Sequence, residues 1–137
     1  MTNNTGWTDA FSQINNVAHA AIKVEDELLS ANIFSLFKKK DYGKYNALFD
    51  AAQNELTRIK LMMGIDFPNV DEDKLTSWKS VAEAQFKYIQ ILKGINHGLS
   101  LKATRSGEYA HKKYREDLQA LDSARNIIAI SLDPILK

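Results

Sequence analysis

Glu108-Tyr-Ala-His111 sets a carboxylate and an imidazole one helical turn apart, a spacing that lets both face one metal ion. A di-iron centre in a helical bundle needs two such Glu-x-x-His pairs and two further glutamates. The chain holds no second pair, because Glu55 is followed at that spacing by Arg58 and Glu83 by Phe86. Glu108 and His111 therefore read as an exposed first-turn carboxylate with a neighbouring histidine. No metal and no cofactor is expected.

Nucleophilic chemistry has no better footing. The chain contains no cysteine, which excludes a thiol nucleophile, a disulfide framework, a zinc–thiolate site and an iron–sulfur cluster. It has no Gly-x-Ser-x-Gly elbow. Gly94-Lys-free-loop chemistry is absent as well: the segment from Gly94 to Gly98 lacks the lysine and the glycine spacing of a phosphate-cradling loop, and its spacing suits a close helix contact or a helix end. Adjacent acids occur at Glu25-Asp26-Glu27, Asp71-Glu72-Asp73 and Glu116-Asp117, each among charges that a solvated helix face explains. No catalytic residue is assigned, and the chain reads as non-enzymatic.

Charge is the stronger signal. The formal net charge is only +1, yet Lys93, Lys102, Arg105, Lys112, Lys113 and Arg115 face a single acid, Glu108, in their stretch of sequence. Lys38, Lys39 and Lys40, with Lys44, form a second basic cluster. Tyr109 and Tyr114 interleave with the first group, and Tyr42 and Tyr45 with the second. Lysine and arginine attract phosphates without reading sequence, and tyrosines stack on unpaired bases. The polyanion-binding set is therefore Lys38, Lys39, Lys40, Lys102, Arg105, Lys112, Lys113 and Arg115. Against this, cations near helix C-termini are favourable on their own, and tyrosine at helical spacing is usually core.

A third feature is apolar surplus. Ile33, Phe34 and Phe37 crowd the end of the first helical pattern, Met62 and Met63 close the second, and Ile127 and Ile130 flank the core stripe of the last. Surplus apolar surface on a small protein marks an interface, unless an irregular bundle buries it. The leading expectation is thus an accessory or adaptor protein acting through a protein partner or a homo-oligomer. The alternative is a small subunit of a nucleoprotein complex that contacts nucleic-acid phosphates.

The elements that must position these residues are helices. Across 137 residues there are six glycines and two prolines, too few turns for an all-β fold. The composition, 45% apolar and 26% charged, is that of an ordinary globular domain. Apolar residues recur at steps of three and four in four stretches, interrupted in the first by Glu25. These predict an all-α, antiparallel up-down four-helix bundle with helices near 8–37, 42–63, 71–100 and 107–133. Residues 1–137 form a single domain in this reading, with 1–7 a flexible N-terminus. Thr8 or Asp9 would cap the first helix, Asp41 the second, and Pro134 would close the last. Helix three has the least certain end, since Leu99 and Leu101 could carry it to Thr104. The apolar run from Asn126 to Leu132 is too short to span a bilayer, and no leader pattern precedes Trp7, so a cytoplasmic location without membrane contact is expected.

Overall fold

The structure, a computed structural model, describes residues 3–29, 40–66 and 72–136, with side chains for 12–29, 40–62 and 76–133. Four helices account for nearly all of them: α1 (Asn3–Leu29), α2 (Tyr42–Asp66), α3 (Glu72–Thr104) and α4 (His111–Leu136). There is no strand among the described residues. Each helix packs on the next in sequence, and α1 also touches α3. α2 and α3 run in opposite directions, as their cross-links show. Asn96, late in α3, donates to the Tyr42 carbonyl at the start of α2 (3.0 Å), while Lys60, late in α2, meets Glu83 early in α3 (2.5 Å).

The core follows from the periodicity. Ile14, Val17, Ala21, Val24 and Leu28 bury one stripe of α1, and Tyr45, Phe49, Leu56 and Ile59 one stripe of α2. α3 lies at the centre and contributes on several sides, with Trp78, Val81, Ile89, Leu92 and Ile95 all buried. Each large side chain removed from water contributes about 1.5–3 kcal/mol. Leu48 and Phe86, which fit the expected stripes, are exposed instead. The buried stripe of α2 runs through Tyr45, Phe49, Gln53 and Leu56, which turns Leu48 off the core.

Asp41 caps α2 as expected: its carboxylate accepts from the Lys44 amide (3.0 Å) and its carbonyl from the Tyr45 amide (3.0 Å). Outside the third turn, three boundaries differ from expectation. α1 begins at Asn3 rather than at the cap offered by Thr8 or Asp9, and α2 continues past Gly64 to Asp66. α4 continues through Pro134 to Leu136, although Pro134 has no amide to donate to the Ile130 carbonyl.

The third turn moves most. α3 runs unbroken to Thr104, past both Gly94 and Gly98, and α4 starts at His111 rather than at 107. The turn is closed by paired bonds from the Arg105 amide to the Lys102 carbonyl and from the Ser106 amide to the Leu101 carbonyl. This is the helix-ending arrangement usually completed by glycine, and Arg105 supplies its left-handed residue (φ 57°). Tyr109 then pins the segment before α4. It is buried, and its hydroxyl donates to Asp117 (2.5 Å).

Tyr109 also explains one glycine. A Cβ on Gly98 would lie 2.7 Å from that ring, whereas a Cβ on Gly94 meets nothing within 4 Å. Gly98→Ala should therefore destabilise the protein by about 1–3 kcal/mol through overpacking. Gly94→Ala should stabilise it by about 0.5–1 kcal/mol, the ordinary gain inside an exposed helix. Urea denaturation of the two variants measures both signs.

Candidate functional site

Glu25 stands where the α1 stripe calls for an apolar residue, one turn after Ala21, and is only 5% exposed. A carboxylate so placed needs partners, because an unpaired buried charge is costly. It has two. The Tyr88 hydroxyl of α3 and the Arg125 guanidinium of α4 both donate to it. Arg125 also donates to Asp122 (2.7 Å) and lies 5.9 Å from the centroid of the Tyr88 ring, within cation–π range. Burial, with the Asp26 charge adding to it, pushes the Tyr88 phenol up to about 12. At neutral pH Tyr88 is therefore a proton donor to Glu25.

The bridge crosses a gap. Among the described residues α4 packs on α3 alone, and no backbone packing joins it to α1. Between α1 and α4, over α3, lies a cavity of about 380 Å³, walled by apolar residues that include Ala18, Ile22, Ile89 and Ile128. Gln85 also lines it, and its amide oxygen is buried without a hydrogen-bond donor.

The other flank of α4 carries the expected interface pair. Arg125 and Ile127 differ by two residues, about 200° around the helix, so Ile127 turns away from α1. Ile127 is 53% and Ile130 70% exposed, and their spacing of three places them side by side. Met62 is half-buried, with Arg58 Nη1 lying 2.6 Å from its sulfur. Ile33, Phe34, Phe37 and the side chain of Met63 lie outside the described residues. Ile22, Leu48, Leu61 and Phe86 are exposed apolar residues that the sequence did not single out. Leu48 and Leu61 face different ways on α2, and scattered exposure of this kind is ordinary.

The basic set divides. Lys102, Arg105, Lys112 and Arg115 are exposed around the third turn and make no ion pair among the described residues. Lys113 pairs with Asp117 (3.0 Å), which raises its affinity for the proton. Lys40 donates to the Leu28 carbonyl (2.6 Å), closing the C-terminal end of α1, and burial lowers its pKa. Lys38 and Lys39 lie outside the described residues. The interleaved tyrosines do not form a stacking platform. Tyr45 and Tyr109 are buried, Tyr42 and Tyr114 are half-buried, and each pair meets edge to face. His19, His97 and His111 are exposed on three different helices, and no metal-competent group of three acids or histidines occurs among the described residues. No helix there is long and apolar enough to cross a membrane.

Comparison with known proteins finds no matching family model, no similar curated protein and no similar solved structure. The reading of this chain therefore rests on its own residues.

Removing Arg125 leaves Glu25 buried beside one neutral donor. Arg125→Leu should cost about 2 kcal/mol, less than a fully buried pair because Arg125 is itself 45% exposed, and Glu25→Leu with Arg125→Leu should recover most of the loss. Thermal denaturation of the single and double variants measures this.

Tyrosine in an unfolded chain ionises near pH 10. Folded Tyr88 keeps its proton to about 12, so the folded state binds more protons between these values. Its contribution is complete below about pH 10 and is lost as pH rises toward 12. Tyr88→Phe should flatten part of that alkaline decline in denaturation midpoints. Tyr109, also raised by burial and by Asp117, keeps its own share.

Proposed function

We propose that this chain is a non-enzymatic, cytoplasmic accessory protein that acts by self-association through the outer flank of α4. The observation that carries the reading is the adjacent pair Ile127 and Ile130, more than half exposed on a helix seated against α3 alone. Among the described residues nothing covers this flank, and large exposed aliphatic side chains favour acquiring a neighbour.

The flank is also self-complementary. Ala120 and Ser123 share it with Ile127 and Ile130, and all four are exposed. An antiparallel pair of α4 helices centred at the level of residue 125 sets Ile127 of one copy over Ser123 of the other and Ile130 over Ala120. Large residues then meet small ones about a two-fold axis, as an isologous contact requires.

A second reading has its own observation. Lys102, Arg105, Lys112 and Arg115 make no ion pair among the described residues and lie around one turn, as contact with a polyanion would need. The packing of all four nearby tyrosines argues against base stacking and limits this reading to backbone contact.

Light scattering on a sizing column separates the two. Self-association predicts twice the chain mass at micromolar concentration, retained in high salt, with Ile127→Glu and Ile130→Glu together giving a monomer of unchanged helical content. A wild-type monomer at every concentration contradicts it. Polyanion contact predicts duplex binding whose log affinity falls with log salt at a slope of about −3 to −4, one unit for each cation. Charge reversal at Lys112 and Arg115 should remove about half of that slope.

A further inference from the structure

The geometry points to the cavity between α1, α3 and α4 as a binding site for a small apolar ammonium ion. This site lies on the opposite flank of α4 from the proposed interface, and it does not depend on self-association.

Size comes first. About 380 Å³ falls within the range of small-molecule pockets, and the aliphatic walls offer burial to a chain or ring. The polar groups then select the head. Three acceptors face or line the space: the Glu25 and Asp26 carboxylates and the Gln85 amide. The Tyr88 hydroxyl is engaged on Glu25, and the Arg125 guanidinium is turned toward Glu25 and Asp122. Gln85 is 6% exposed and its oxygen receives no hydrogen bond among the described residues. The Asp26 carboxylate and the buried, unpartnered Gln85 oxygen favour a ligand that brings donors.

Net charge agrees. The lining holds two acids, Glu25 and Asp26, and one arginine, a net charge of −1. A carboxylate ligand would meet an uncompensated negative charge, whereas an ammonium would neutralise it. Asp26 is exposed at the rim and makes no hydrogen bond or ion pair among the described residues, which makes it the residue to test.

The probes are n-octylammonium and n-octanoate, which share a chain and differ in the head, titrated into the full chain by calorimetry and by amide chemical-shift mapping. Octylammonium should bind at least about ten-fold more tightly than octanoate, with shifts centred on residues 18–26, 85–89 and 125–128. Asp26→Asn should weaken octylammonium several-fold while leaving the circular dichroism spectrum unchanged. Ala18→Phe, which fills the cavity, should abolish saturable binding. Equal or tighter binding of octanoate, no saturable binding of either probe, or wild-type affinity in both variants would overturn the assignment.

Discussion

The seat of α4 depends on a buried carboxylate. Glu25 sits in the apolar stripe of α1 and is accepted there because Tyr88 and Arg125 reach it from two other helices. Its removal from water is costly, and the two charge-assisted bonds offset that cost without a large surplus. A leucine in that place would pack more simply. What the polar arrangement adds is position: it ties α4 to α1 at one point while leaving the space between them open. Buried polar contacts that select one arrangement over others are well attested in helical assemblies, although their net stabilisation is small.

Two surfaces follow from that arrangement. A fourth helix packed equally on α1 and α3 would close the gap and cover both flanks of α4. Held instead on α3, α4 leaves an acceptor-lined cavity on the Arg125 side and an isoleucine pair on the other. The third turn supports this from the far end. Tyr109 rests its ring on Gly98 and its hydroxyl on Asp117, so the entry to α4 is fixed even though its middle is only lightly held on the α1 side.

Helix number, order and most core positions were legible because the three-and-four periodicity is strong and turns are few. The ends were less so. α3 passes Gly94 and Gly98, since a glycine weakens a helix by about 1 kcal/mol and packing on both sides of α3 outweighs it. The left-handed position that ends α3 is filled by Arg105, a residue that carries no such signal. Ile127 and Ile130 were legible as surplus beside the α4 stripe. Glu25 was visible as an interruption of the α1 series, but its partners lie 63 and 100 residues away, and nothing local announces a pairing over that separation. The tyrosines show the converse: their spacing among cations suggested stacking, and tertiary packing absorbed them.

The absence of cysteine makes the central claim directly measurable, since labels can be placed at will. Spin labels at Lys23→Cys on α1 and Asn126→Cys on α4, both exposed, report the separation of the two helices across the cavity. If the Glu25 bridge holds α4, pulsed electron resonance should give one narrow distance distribution, and adding Arg125→Leu should broaden and lengthen it. A narrow distribution that Arg125→Leu leaves unchanged would contradict the account, because α4 would then be held by α3 alone.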